Sequence, residues 1–187
     1  MLNWIALMFS SVCFVGFIPG WLWRPWRDKG GGTMGSLVGL VLQVLCLRDT
    51  QGWLGQVDII GGSMLLGMMT VARAEAFMLG NWGPGRGKGG KLVVKDRNQT
   101  CVDELLGMGL TGVPIYFLAH RTVASDLVLP CVGFVLFRLF DGCKPGPVKW
   151  AEDKFPGVLG IMADDAVAGI MAALSLSILV GYLNVFG

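Results

Sequence analysis

The sequence predicts an all-α membrane protein: a bundle of about six helical segments, four to six of them spanning the bilayer, with a polar site at the membrane surface. Three observations lead to this prediction. The 187 residues are 53% hydrophobic and only 15% charged, whereas an average soluble domain is about 25% charged. The charged residues fall between long uncharged runs, and the basic ones cluster in alternate gaps. This much apolar surface must be buried, which excludes a disordered chain.

Six uncharged runs define the predicted segments. They cover residues 2–23, 30–47, 59–72, 105–119, 127–137 and 166–187. A spanning helix needs about 20 apolar residues, so the first and last runs are long enough by themselves. The four middle runs span only if each helix extends past its charged flank; otherwise they are tilted or re-entrant. No Lys or Arg precedes the first run, unlike in a signal peptide, so residues 1–29 are predicted to hold an N-terminal anchor helix.

The basic residues predict the orientation of the bundle. If the six segments alternate in direction, loops 24–34, 73–104 and 138–165 share one side and hold 13 of the 15 lysines and arginines, while Arg48 and Arg121 lie opposite. The positive-inside rule places the basic side in the cytoplasm, with both termini facing away from it. The net charge of only +2 gives no reason to expect a nucleic-acid partner.

Several classes of site are excluded. The five cysteines form no Cys-x-x-Cys pair, which excludes a zinc ribbon and a thioredoxin-type site. Segment 83–90 is rich in glycine but lacks the Gly-Lys-Ser/Thr ending of a phosphate-binding P-loop, so it is predicted to be a flexible basic loop. The single histidine, His120, lies on the side opposite the basic loops, which excludes chemistry that uses two histidines.

Ten of the thirteen acidic residues lie in the same three loops as the bases, and two adjacent pairs stand at helix starts. Asp103-Glu104 precedes the fourth apolar run, and Asp164-Asp165 precedes the sixth. Acids in a first turn also complement the helix dipole and cap free N–H groups, which explains a single pair equally well. Two pairs on one face, with Asp141 at the end of the fifth run, favour convergence on Mg²⁺, which takes carboxylate and phosphate oxygens.

Cations and glycines accompany these acids. Arg138 lies one helical turn before Asp141, and Lys144 opens a Lys-Pro-Gly-Pro segment whose prolines end the helix. Phosphoryl chemistry requires such cations, although simple ion pairing explains Lys149 better. Residues 30–36, Gly-Gly-Gly-Thr-Met-Gly-Ser, place glycines and hydroxyls at a helix start, where backbone N–H groups attract anions.

Four blocks resemble the phosphatidylglycerophosphatase A family. Residues 32–37 (Gly-Thr-Met-Gly-Ser-Leu) are similar to the family's Pro-Gly-Thr-x-Gly-Ser-Leu, with Gly31 in the place of the proline. Asp96 and residues 102–108 resemble its Asp…Asp-Glu-x-x-Gly-Met block. Residues 137–147 resemble Phe-Arg-x-x-Asp-x-x-Lys-Pro-x-Pro, and residues 160–169 resemble Gly-x-Met-x-Asp-Asp-x-x-Ala-Gly. The blocks define a family-like core over residues 30–175, within which residues 48–95 match poorly.

The resemblance implies Mg²⁺-dependent hydrolysis of phosphatidylglycerophosphate to phosphatidylglycerol and phosphate, at the cytoplasmic face of the bacterial inner membrane. Asp141 is expected to be a metal ligand, a base that orients water, or the group that attacks phosphorus. The other expected roles are metal binding for Asp103, Glu104, Asp164 and Asp165, with Asp103 also catalytic; phosphate binding for Arg138 and Lys144; and substrate binding for Gly32, Thr33, Gly35, Ser36 and Lys149.

Two alternatives stay open. Another cytoplasmic-face lipid-headgroup enzyme, such as a CDP-alcohol phosphotransferase, needs Asp-Gly-x-x-Ala-Arg, but Asp141-Gly142 is followed by Cys-Lys-Pro-Gly. A small ion-binding transporter places ionisable groups near the bilayer midplane, whereas the centres of the long runs here carry no charge.

Overall fold

The computed structural model describes residues 2–18, 21, 30–48, 52–83, 85–86, 92–93, 100–118 and 122–186. In these ranges the helices are α1 (Leu2–Ser10), α2 (Gly31–Leu47), α3 (Gly52–Trp82), α4 (Val102–Leu118), α5 (Val123–Cys143), α6 (Gly146–Lys154) and α7 (Val158–Phe186). Two-residue strands, β1 (Gly85–Arg86) and β2 (Leu92–Val93), pair antiparallel. The predicted all-helical class is confirmed. Most of the predicted flexible loop 83–90 lies outside the described residues.

Five of the six predicted runs correspond to long helices, and most of these helices extend past their charged flanks. Run 59–72 becomes α3, which begins before Asp58 and continues beyond Arg73. Run 127–137 becomes α5, which includes Arg138 and Asp141. Within the described residues, α3 and the Val158–Tyr182 part of α7 are long and apolar enough to cross a membrane, with mean hydropathies of 1.4 and 1.7 in their most apolar stretches.

In residues 2–18, the part of the first run that the structure describes continuously, the helix ends early. α1 is nine residues long, or about 13 Å, which is less than half the hydrocarbon core of a bilayer. The chain then turns through Val12, Cys13 and Phe14, whose φ angles are 49°, 54° and 66°, into a 3₁₀ turn at Val15–Phe17. Ser11 takes part in this turn: its hydroxyl donates to the Leu7 carbonyl at 2.6 Å and accepts the Phe14 N–H at 3.2 Å, so that a side-chain oxygen replaces a helical carbonyl as the partner of Phe14.

The sequence did not predict α6, which lies in the basic loop 138–165. It begins directly after Pro145 and carries Pro147 in its first turn, where the absent proline N–H has no helical partner to lose. The same prolines that end α5 therefore start the next helix.

α4 lies at the centre of the bundle, in contact with α2, α3, α5 and α7. Its crossing with α7 is close because Gly107 faces Gly169, where a Cβ on Gly169 would collide with the Gly107 carbonyl oxygen. Thr111 Oγ1 donates to that carbonyl at 2.9 Å. This crossing fixes the first turn of α4 beside the second turn of α7, where Asp164 and Asp165 lie.

Two buried glutamines fasten α2 and α3 to α4. Gln43 Nε2 on α2 donates to the Met108 carbonyl at 2.9 Å, and Gln56 Nε2 on α3 donates to the Gly109 carbonyl. Gly112 leaves the space that both amides need. With these bonds, the three helices are held in one register in the middle of the bundle.

Candidate active site

Five carboxylates meet at one end of the bundle. Asp103 and Glu104 lie in the first turn of α4, Asp141 in the last turn of α5, and Asp164 and Asp165 in the second turn of α7. None is more than 5% exposed. The three helices that carry them belong to three different parts of the sequence, so the fold brings together the acids that the sequence placed at helix boundaries.

The carboxylates form two overlapping groups. Oxygens of Asp103, Glu104 and Asp165 lie within 4.8 Å of one another, and so do oxygens of Asp141, Asp164 and Asp165. Asp165 belongs to both groups. The arrangement offers a set of closely spaced hard oxygen donors of the kind that Mg²⁺ binds.

Two cations border the cluster. Arg138 Nη1 lies 2.8 Å from Asp141 Oδ2, one turn along α5. Lys144 Nζ lies 2.6 Å from Asp164 Oδ2 and 2.9 Å from Glu152 Oε1. Lys144 caps α5 with a left-handed backbone, φ 43°, and its N–H donates to the Phe140 carbonyl, which turns the side chain back towards α7. Both predicted phosphate-binding cations therefore stand at the carboxylates.

The glycine-rich start of α2 packs against the acids. Ser36 Oγ donates to the Gly32 carbonyl at 2.8 Å and accepts from Arg138 Nη1 at 3.3 Å. A Cβ at Gly32 would collide with Glu104 Oε1, and one at Gly35 would lie 2.6 Å from Cys101 Cβ. Glycine is needed at both positions because the helix approaches its neighbour closely. Thr33, in contrast, is exposed, and its part in substrate binding stays a prediction.

Lys149 does not join the carboxylate cluster. It is 55% exposed and bonds to Glu152 and Asp153 on its own helix, at 3.2 and 2.9 Å. Those hydrogen bonds raise the pKa of Lys149 above its ordinary value. The position supports the simple ion pairing that the sequence favoured, and a part of Lys149 in substrate binding stays a prediction.

Glu152 is the residue that the sequence analysis missed. Its two oxygens bond to Lys144 and to Lys149, so it connects α6 with the site. Partial burial raises the pKa of Glu152, but the bonds to the two lysines outweigh it and hold that pKa below the ordinary value. Glu152 lies three residues after Lys149, and this spacing predicts an ion pair between them if the segment is helical. The contact of Glu152 with Lys144 depends on α6, which the sequence did not predict.

The thiol of Cys101 lies close to two of the carboxylates, those of Asp103 and Glu104. Cys101 is fully buried immediately before α4, and burial raises the pKa of its thiol well above the ordinary value, with further increases from the charges of Glu104 and Asp103. Burial is the largest cause of this increase, and the two carboxylates add to it.

Some predicted features lie outside the described residues. They are Asp96 of the second sequence block, His120, Arg121 and the basic residues at 24–29 and 88–97.

A family model described as phosphatidylglycerophosphatase A matches residues 8–180. The chain belongs to this family. The matched range includes α1 from Met8 onwards and all the site residues described above, and it is wider than the core of residues 30–175 in which the sequence blocks lie. The predicted family resemblance is confirmed.

Two curated relatives carry the name phosphatidylglycerophosphatase A. The protein of Escherichia coli (strain K12) is 38% identical over 80 residues, which are 43% of this chain and 42% of the relative. The protein of Haemophilus influenzae is 28% identical over 143 residues, 76% of this chain and 74% of the relative. The first alignment thus spans less than half of its relative, and the second about three quarters. No solved structure is significantly similar to the chain.

Proposed function

We propose that the chain hydrolyses the phosphomonoester of phosphatidylglycerophosphate to phosphatidylglycerol and inorganic phosphate, with Mg²⁺ as cofactor. The observation that carries the proposal is the meeting of five buried carboxylates with Arg138 and Lys144 at the glycine-rich start of α2. The names of the family and of both relatives support the substrate. In the reaction, water attacks phosphorus and the ester P–O bond breaks.

The donor set fits a divalent cation. Asp103, Glu104, Asp141, Asp164 and Asp165 place five carboxylates in one buried cluster, and Arg138 and Lys144 border it among the described residues. Buried carboxylates that lie this close together are stabilised by positive charge between them. The two oxygen groups that share Asp165 are the residues that would hold Mg²⁺. Bound there, the ion would neutralise phosphate charge and lower the pKa of a water molecule.

The chain's own residues would orient the phosphate. Arg138 and Lys144 supply positive charge on either side of the cluster, and Arg138 is itself positioned by Asp141 and Ser36. The amino ends of α2, α4 and α7 converge at this end of the bundle, where their free N–H groups and dipoles favour an anion. Asp141, fixed by Arg138, is placed either to bind the metal or to take a proton from the attacking water.

We further propose that α2, α3, α4, α5 and α7 all span the bilayer, so that the protein is multi-pass in the bacterial inner membrane with the site facing the cytoplasm. These helices alternate in direction, and much of their surface is apolar and exposed; Val41, Met69, Val135 and Ile178 are 57–75% exposed. Patches this large on a water-soluble surface are rare. The basic loops fall on the site's side under this arrangement.

The test is phosphate release by the purified chain in detergent micelles that contain phosphatidylglycerophosphate. We expect release that depends on Mg²⁺, is abolished by a chelator and is restored by adding the ion back. A chain that instead transferred a lipid headgroup from a CDP-alcohol donor, with no phosphate released, would support the phosphotransferase. If neither reaction occurred while circular dichroism showed an intact fold, the result would contradict the proposal.

A further inference from the structure

The boundary between α2 and α5, which we call the seam, connects the carboxylate cluster with the outer surface of the bundle. At the site's end of the seam, Arg138 on α5 donates to Ser36 on α2 at 3.3 Å. Four residues further from the site on each helix, Leu40 and Phe134 pack on the same buried cluster. The two helices therefore run antiparallel along the seam, and Leu40 and Phe134 form its floor.

The order of residues on α2 defines one edge of the seam. A Cβ on Gly35 would collide with Cys101, which directly precedes α4, and the next residue, Ser36, faces α5. Each residue turns a helix by about 100°, so Leu37 points outwards beside the seam, where it is 37% exposed. Thr33 lies one turn before Leu37 on the same edge and is also exposed.

The same order defines the other edge on α5. Phe137 is buried against Gly107 of α4, Arg138 faces α2, and Leu139 points outwards. Val135 lies one turn further from the site, between the directions of Arg138 and Leu139, and is 62% exposed. The seam thus has two apolar edges that reach the outer surface. At the end nearest the carboxylates it carries the guanidinium of Arg138, whose side chain is 25% exposed.

Other parts of the protein cover the remaining sides of the site's end. α6 packs along α7, α1 contacts α3, and the 3₁₀ turn after α1 contacts α2. Between α3 and α7, Val71 and Met162 belong to one buried cluster. Within the described ranges, no other element packs over the seam, whose edges at Leu37 and Val135 stay exposed. The seam is therefore the side on which a bilayer lipid meets the carboxylate end of the bundle directly.

We infer that the seam is the acyl-chain subsite for the lipid phosphomonoester. The lipid approaches from the surrounding leaflet, its phosphate lies at the carboxylates, and one acyl chain lies between Leu37 and Val135 on the floor of the seam. Arg138 suits the junction, because its hydrocarbon stem contacts the chain while its guanidinium donates to anionic headgroup oxygens. The inference rests on the lipid hydrolysis and on the spanning arrangement proposed above.

The physical role of such a subsite is to position the headgroup. An acyl chain gains no hydrophobic free energy by moving from the bilayer to the seam, because both surroundings are apolar. Close packing against Leu40 and Phe134 instead fixes the direction from which the headgroup enters, and this orientation favours the phosphate at the cluster. A bulky side chain in the seam should therefore weaken substrate binding without changing the residues that meet the phosphate.

Tryptophan substitutions test the subsite. Val135→Trp and Leu37→Trp fill the seam from its two edges. The matched control is Ile170→Trp on α7, which is exposed and lies two residues after Ala168, whose side chain packs at the level of Phe137. Phosphate release is measured at saturating Mg²⁺ in mixed micelles with a varied mole fraction of dioleoyl phosphatidylglycerophosphate, so that KM and kcat are obtained separately. Circular dichroism and thermal unfolding check that each variant is folded.

We expect both seam variants to raise KM at least about tenfold with kcat within about threefold of the parent chain, and Ile170→Trp to change neither value by more than about twofold. An unchanged KM in the folded seam variants would overturn the inference, and so would an equal increase in Ile170→Trp. A loss confined to kcat would also overturn it, because the substitutions would then disturb the reacting groups. If the parent chain released no phosphate, the proposed function itself would fail, and the subsite with it.

Discussion

Gly32 is the residue at which an added side chain would disturb the carboxylate cluster most directly. A Cβ there would collide with Glu104 Oε1, which can yield only by moving the carboxylate. We predict that Gly32→Ala lowers kcat at least about tenfold, because displacements near 1 Å at a reacting centre can cost far more than that. Phosphate release in micelles provides the measurement.

The matched control for Gly32→Ala is Gly142→Ala, next to Asp141, where a Cβ would meet nothing within 4 Å. It should keep its activity within about twofold and its unfolding temperature close to that of the parent. Equal activity of the two variants would contradict the prediction that the close contact between Gly32 and Glu104 is needed for activity.

Glu152 gives a pH-dependent test of the link between α6 and the site. Its folded-state pKa lies below the ordinary value of 4.5, so its ion pairs contribute stability at neutral pH that is lost as pH falls through the folded pKa. We predict that Glu152→Gln lowers stability at pH 7 by less than about 1 kcal/mol, since the side chain is 36% exposed and solvent screens its ion pairs. The difference should disappear well below pH 4.5. Thermal unfolding at both pH values measures it; a difference that persists at low pH would contradict the assignment.

The α4–α7 crossing is the element-scale feature on which the carboxylate geometry depends. Gly169→Ala places a methyl group against the Gly107 carbonyl oxygen, a backbone atom that cannot swing away. We predict a loss of about 1–3 kcal/mol in the free energy of unfolding together with reduced activity. Gly181→Ala on the same helix meets nothing within 4 Å and should change stability by no more than about 1 kcal/mol. Denaturant titration in detergent compares them, and similar losses in both would argue against a tight crossing.

Hydropathy predicted where the long helices lie, because each apolar run forms the middle of a helix. The charged residues beside a run do not end the helix, and Asp103 and Glu104 in a first turn even stabilise α4. Hydropathy failed in the first run, whose described residues 2–18 form a nine-residue helix followed by a turn at Val12, Cys13 and Phe14. It also missed α6, whose mixed polar sequence has no apolar run. The paired acids were visible as site residues, but the contact of Glu152 with Lys144 and the fit of Gly169 on Gly107 were not. Both depend on which helix faces which, and local sequence does not encode that.

At the scale of the whole molecule, helix direction explains why distant acids meet. α2, α4 and α7 begin at the site's end of the bundle, and α3 and α5 end there, so the first turn of α4 and the second turn of α7 meet the last turn of α5. The same alternation brings Arg138, Lys144 and Ser36 to that end. The opposite end of the bundle, around Leu47, Ile115 and Leu176, is an apolar core. Within the residues that the structure describes, the buried carboxylate cluster therefore lies at one end of the bundle.

Mg²⁺-dependent phosphate release by Asp165→Asn tests the central claim most directly, because Asp165 belongs to both oxygen groups. The control is Asp153→Asn on α6, an acid that is 64% exposed and bonds only outward to Lys149 among the contacts described. We predict a loss of about 100-fold or more for Asp165→Asn at saturating Mg²⁺, with Asp153→Asn within about twofold of the parent chain. Parental rates from a folded Asp165→Asn protein, at the same Mg²⁺ requirement, would contradict the proposal that these carboxylates gather around the ion.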